Sequence, residues 1–189
     1  MKSTSSSRET SNSGSHRMMA VVTSPKADGR SLARRVVEVG GSSLNFDYAH
    51  FLPSSPKCGV LHGHTASVRV GLTGRLVDDM VVEFGELKDI LRSIINMMDH
   101  KLIVSRKYVK IQDGRASISF RGIGGEYMIE TPVASIYVID SESTSENISA
   151  HIAALIRERM PENVSGIYVR LSEGLNKWSI STVDAEPYG

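Results

Sequence analysis

The chain has 189 residues, 40% of them hydrophobic and 23% charged, with a formal net charge of +1. That length can bury one core; a charge so near balance argues against a polyanion-binding surface, and no apolar run nears the roughly 20 residues of a bilayer span, so neither nucleic acid nor membrane is expected as a partner. One cysteine excludes an intrachain disulfide framework and fits a reducing cytoplasm.

Residues 1–30 are serine-rich and polar without apolar periodicity, which predicts a disordered tail. They lack the apolar core of a secretory signal, so a cytoplasmic location is expected. One domain is expected over residues 31–189. Its first strand reads VEVGGSSLNFDYAH and closes on His50. A loop marked by Pro53 and Pro56 follows and carries Cys58. His62-Gly63-His64 then leads into a stretch where Val68, Val70 and Leu72 alternate with Ser67, Arg69 and Gly71, the period of a half-buried strand. Residues two apart on a strand share a face, so His62 and His64 aim at one point, and His50 lies beside them if the strands pair as a hairpin. Three neutral imidazoles converging from strands suit zinc and leave a fourth position for water or substrate. Cys58 has three readings: a fourth ligand closing a structural site, a small buried apolar group, or a reactive thiol.

Val77-Asp78-Asp79-Met80 predicts a turn, and a short extended run then feeds a helix. In that helix Leu87, Ile90, Leu91, Ile94, Ile95 and Met98 form one apolar stripe. Asp99 and His100 end it. A helix C-terminus and a neighbouring carboxylate both favour a protonated imidazole, and such a histidine beside a thiol promotes the thiolate. The alternative is a helix cap with no chemistry. Residues 104–142 predict an inserted β-hairpin segment: two extended runs flank Asp113-Gly114, a hairpin signal, and two more follow. Ser143 and Glu146 have capping-box spacing, which makes Ser143 the expected N-cap of a helix burying Ile148, Ile152, Leu155 and Ile156. His151, inside that helix, is expected to be structural. Ile167, Val169 and Leu171 alternate in a strand ending at Glu173, and a turn at Gly174-Leu175-Asn176 leads to the last strand, residues 178–183. Taken alone, a glutamate at a strand end is a solvated carboxylate.

Phe46-x-x-Ala49-His50 together with Lys57-Cys58-Gly59-Val60-Leu61-His62-Gly63-His64 resembles the 6-pyruvoyltetrahydropterin synthase superfamily. The three-residue gap between Cys58 and His62 is closest to its 6-carboxy-5,6,7,8-tetrahydropterin synthase branch. The resemblance implies an α+β tunnelling fold, an antiparallel sheet with two helices on one face, assembled as a homo-oligomer (trimer or hexamer) with sites between subunits. It implies zinc on His50, His62 and His64, catalysis by Cys58, Asp99 and His100, and Glu173 as the pterin anchor. Thr144-Ser145-Glu146-Asn147 resembles the family element whose hydroxyls contact the pterin, which implicates Thr144 and Ser145. The implied reaction consumes 7,8-dihydroneopterin triphosphate on the route to 7-deazaguanine nucleosides such as queuosine or archaeosine. The chain departs from the family pattern at Glu83 (usually aspartate), at Ser143 (usually proline) and over residues 104–142. Two rival readings are a sister enzyme forming a pyruvoyl or hydroxymethyl pterin, and a non-catalytic zinc scaffold in which Cys58 completes the metal shell.

Overall fold

The computed structural model describes residues 34–184; the tail expected over residues 1–30 lies outside them. Among these residues the elements follow in the order β1 (Arg35–His50), β2 (His62–Gly74), α1 (Phe84–Met98), β3 (Lys101–Ser105), β4 (Val109–Gln112), β5 (Arg115–Gly122), β6 (Gly125–Pro132), β7 (Ile136–Ile139), α2 (Ser145–Arg157), β8 (Val164–Glu173) and β9 (Trp178–Asp184). The principal sheet runs β7-β3-β1-β2-β8-β9. Its body is antiparallel, as expected, through the β1–β2, β2–β8 and β8–β9 pairs. Two short strands extend it in parallel, β3 against β1 and β7 against β3. A parallel pairing needs a crossover of a dozen or more residues; α1 supplies the first, and the segment from β4 to β6 supplies the second.

That segment forms its own antiparallel sheet, β4-β5-β6. Its first turn is at Asp113-Gly114, where both residues have positive φ (50° and 73°), as the tightest hairpin turns require. The last extended run of residues 104–142 leaves this sheet and returns to the principal one as β7.

Between Gly40 and Asn45, β1 advances five residues while β2 advances two, from Arg69 to Ser67. The bulge reverses the strand's alternation. Val39 points into the core before it, whereas Leu44, Phe46, Tyr48 and His50 do so after it. The Gly40-Gly41-Ser42-Ser43 stretch therefore decides that His50 faces inward opposite His62.

Both helices pack on that inward face. Leu87, Leu91, Ile94, Ile95 and Met98 of α1 meet Ile148, Ile152, Ala153 and Ile156 of α2 in one cluster with Val68, Val70, Leu72, Val169 and Leu171 of the sheet. Truncating one of these aliphatic side chains to alanine costs about 2–5 kcal/mol. Glu83 caps α1 by accepting from the Glu86 N–H at 2.8 Å. The N-cap of α2 is Thr144, one residue later than the spacing predicts: its Oγ1 accepts from Asn147 N–H at 3.2 Å. Ser143 is buried instead and directs its hydroxyl at the Phe51 carbonyl. His151 is structural as expected, hydrogen-bonded to Tyr137 at 2.8 Å. A second core ties the smaller sheet to the principal one through Phe51, Val104, Ala116, Ile118, Phe120 and Ile136. No helix among the described residues is long and apolar enough to cross a membrane.

Candidate active site

The apolar face of β1 and β2 ends in polar chemistry. His50 pairs in register with His62, and Tyr48 with His64. Alternation turns all four rings to the core side, just past Phe46 and Ala66. One nitrogen from each of His50, His62 and His64 falls within 4.8 Å of the others. His50 is only 1% exposed. Cys58 does not belong to this group.

Backbone carbonyls fix two of the rings. His50 Nδ1 lies 2.6 Å from the Ser143 oxygen and His62 Nδ1 lies 2.8 Å from the Val60 oxygen. A carbonyl only accepts, so each Nδ1 carries a proton, and in the neutral form of either ring Nε2 presents a lone pair. Those two Nε2 atoms are 3.1 Å apart. With these tautomers neither can donate to the other, so the contact is repulsive unless a cation stands beside it. Burial lowers the pKa of both His50 and His64, outweighing the Ser143 carbonyl at His50 and the attraction of Glu173 at both, and so favours the neutral rings. Neutral imidazoles oriented by carbonyls through the second nitrogen are the arrangement metal-binding histidines adopt. The three residues can hold a metal ion.

Glu173 ends β8 on the same face. Its Oε1 accepts from Tyr48 O–H at 2.8 Å. Burial first, then the glutamate's charge and hydrogen bond, pushes the phenol pKa far up, so Tyr48 remains a donor and Glu173 keeps a second oxygen for another partner. Tyr48 is the residue the sequence reading misses. Its signal was present, since it stands two before His50 on an alternating strand.

Asp99 and His100 form the expected pair, His100 Nδ1 to Asp99 Oδ1 at 2.9 Å. The same oxygen accepts from Asp47 N–H at 2.9 Å. That backbone donor, with His100 adding, holds the Asp99 carboxyl below the usual range. His100 takes a left-handed φ of 57°, and its N–H donates to the Asp47 carbonyl. The pair stands with Asp47 and Thr65, whose side chains hydrogen-bond each other on the outward face of β1 and β2. His100 and His64 border one open cleft of about 480 Å³. Neither Asp99 nor His100 hydrogen-bonds Cys58 within the chain.

Cys58 is half-buried in the loop between His50 and His62. Its carbonyl accepts from Leu52 N–H at 2.7 Å, and its N–H donates to Ser55 Oγ at 3.2 Å. The smaller sheet braces this loop. A Cβ on Gly122 would come 2.4 Å from the Gly59 oxygen, so only glycine permits that approach. Phe51 stacks on Phe120 with centroids 3.7 Å apart, and Phe120 on Tyr127 at 4.7 Å. Thr144 and Ser145 stand at the start of α2, next to the Ser143 carbonyl that orients His50. Ser145 Oγ is 3.4 Å from the Glu146 carboxylate.

The family profile described as 6-pyruvoyl tetrahydropterin synthase matches residues 42–183. A Pyrococcus abyssi protein provisionally named 6-carboxy-5,6,7,8-tetrahydropterin synthase is 32% identical over 148 residues, 76% of this chain and 89% of that protein. A Haemophilus influenzae protein named 6-carboxy-5,6,7,8-tetrahydropterin synthase is 39% identical over 67 residues, 32% of this chain and 48% of that protein. The solved structure of Plasmodium falciparum 6-pyruvoyl tetrahydropterin synthase superposes with a TM-score of 0.68 at 22% identity, covering 80% of this chain and 98% of that one. The fold is thus the α+β tunnelling fold, and the chain belongs to the 6-pyruvoyl tetrahydropterin synthase family of pterin-processing enzymes.

Proposed function

We propose that the protein is a zinc-dependent lyase that converts 7,8-dihydroneopterin triphosphate to 6-carboxy-5,6,7,8-tetrahydropterin, acetaldehyde and triphosphate, in the route to 7-deazaguanine nucleosides. The observation that carries the reading is the cluster of His50, His62 and His64, with two proton positions set by carbonyls and two Nε2 atoms 3.1 Å apart. Three nitrogen donors with no cysteine in the group suit zinc with a position left open for substrate. When bound, zinc would polarise side-chain oxygens of the substrate and lower their pKa. Glu173, held by Tyr48, accepts hydrogen bonds from the amino group and ring N–H of the pterin through its free oxygen. Thr144 and Ser145 offer hydroxyls to the pterin from the start of α2. Cys58 moves a proton at the side-chain carbons, and Asp99–His100 relays it. Cys58 hydrogen-bonds neither Asp99 nor His100 within one chain, which supports a homo-oligomer, trimer or hexamer, whose sites form between subunits.

Among sister reactions, the carboxy product is favoured by the spacing Cys58-Gly59-Val60-Leu61-His62 and by the names of the relatives. Loop length helps set which side-chain carbon the thiol reaches. Incubation with dihydroneopterin triphosphate should give 6-carboxytetrahydropterin by mass spectrometry and acetaldehyde in a coupled assay. A pyruvoyl or hydroxymethyl pterin as sole product, without acetaldehyde, assigns the protein to a sister reaction. No turnover, with unfolding on chelation, returns it to a zinc-stabilised scaffold.

A further inference from the structure

The outward face of β2 and β8 places two cations against each other. Arg69 and Arg170 are direct cross-strand partners, as are Ser67 and Ser172. All four alternate with the buried Val68, Val70, Val169 and Leu171, so the sheet separates them from the histidine cluster. Like charges directly opposed on a sheet are destabilising, yet neither guanidinium is fully neutralised. Arg69 Nη1 reaches Glu38 Oε1 at 3.3 Å, and the other oxygen of Glu38 accepts from Tyr168 O–H. Arg170, only half exposed, has neither a carboxylate nor a hydrogen-bond acceptor among the described residues. Its guanidinium lies 4.1 Å from the centroid of the Trp178 ring. Stacking on an aromatic face leaves the guanidinium edge, which carries its N–H donors, free to meet a planar or tetrahedral oxyanion.

Two hydroxyls complete the arrangement. Ser172 Oγ accepts from Ser67 N–H at 3.1 Å, which leaves its own proton free to donate, and the Ser67 hydroxyl has no acceptor among the described residues. The five side chains line a recess of about 170 Å³. We propose that Arg69, Arg170, Ser67, Ser172 and Trp178 form an oxyanion site for a phosphate group, free or esterified, on the face of the sheet opposite the histidines. A doubly charged phosphate relieves the opposition of the two arginines and takes the free donors, while Glu38 confines it to the Arg170 side. The site does not depend on the proposed reaction.

Trp178 is the chain's sole tryptophan, so its fluorescence reports on the recess directly. Titration of the full-length protein with orthophosphate, and separately with glycerol phosphate, should change Trp178 emission in a saturable way that sodium chloride at matched ionic strength does not reproduce. Saturation by both probes means the site accepts the phosphate group in either form, and saturation by one assigns the free or the esterified form. Arg170→Gln should weaken the midpoint about tenfold or more, the loss expected for a charge-assisted hydrogen bond. Arg170→Lys, which keeps the charge but loses the fork, should also weaken it and serves if the glutamine variant does not fold. Metal content and turnover are read on the same samples, so failure of the lyase reading leaves this test intact. A linear response equal to that of chloride, or an unchanged midpoint in both Arg170 variants, overturns the proposal.

Discussion

On the core side of β1 and β2, His50, His62 and His64 are packed against one another, and the carbonyls of Ser143 and Val60 orient His50 and His62. On the outward side Asp99 and His100 are oriented only by each other and by Asp47, and the His100 side chain is 76% exposed. One chain completes the first constellation. The second has its acid and imidazole aligned but meets no thiol within the chain. The difference teaches where each proposed role is built: the proposed ligand positions take their rigidity from the core, whereas the proposed proton relay keeps an open approach.

The largest effect that could break this comparison is on metal. His62→Ala should lose bound zinc almost entirely, while Cys58→Ala retains close to one ion per chain by elemental analysis, since three histidines form the set without the thiol. Equal loss from both variants would make Cys58 a ligand and the constellation a closed structural one.

Next in size is the thiol itself. Cys58→Ala should fold and hold metal yet lose about 10²–10⁴-fold in turnover, the usual contribution of a positioned proton-transfer group. If the relay comes from a neighbouring subunit, Cys58→Ala chains co-assembled with His100→Ala chains should regain activity that neither has alone. Near-normal turnover in Cys58→Ala alone would remove the thiol from the chemistry.

Glu173→Gln sharpens the core-side half. It removes charge and turns an amide donor either toward the Tyr48 hydroxyl or toward the pterin. Affinity for a pterin analogue by calorimetry should fall by about 1.5–3 kcal/mol, roughly ten- to hundredfold. Unchanged affinity would place the ring elsewhere.

The smallest effect is on stability with pH. His50 and His64 have folded pKa values below the ordinary histidine value, so the unfolded chain binds more protons in that window. Their contribution is therefore full above about pH 6.5 and is lost as pH falls through their lowered values. The chelator-treated protein should show a Tm that declines on acidification below about pH 6.5, with a shallower decline in His64→Gln. A Tm that rises on acidification would contradict buried, neutral rings.

Much of the core-side constellation was legible because it is local. The alternation from Val68 to Leu72 set the face of His62 and His64, and the hairpin set His50 beside them. The apolar stripe of α1 was equally plain, since helical periodicity is a property of neighbours. Other features depend on long-range packing. The Tyr48–Glu173 bond joins residues 125 positions apart. β3 and β7 are too short to show a period, and their parallel pairing comes from the crossovers. Ser143 carried the spacing of a cap, but burial against Phe51 gave that role to Thr144, because the chain must first bring the Ser143 carbonyl to His50. The outward pair was visible as Asp-His at a helix end; its bond to Asp47 was not.

The bulge between Gly40 and Asn45 has a bearing on how this strand tolerates change. An uninterrupted strand transmits any one-residue insertion along its whole length, exchanging inside for outside at every later position. Here the glycine- and serine-rich stretch works as a slack coupling between two separately registered halves. Length changes upstream, near Arg35, can be absorbed before they reach Phe46, so the start of the strand is free to vary while its histidine end stays in phase. Between Asn45 and His50 no such slack exists. A single residue gained or lost between Asn45 and Tyr48 would rotate Tyr48 and His50 out of the core together, removing a proposed metal ligand and the hydrogen bond that holds Glu173 in one step.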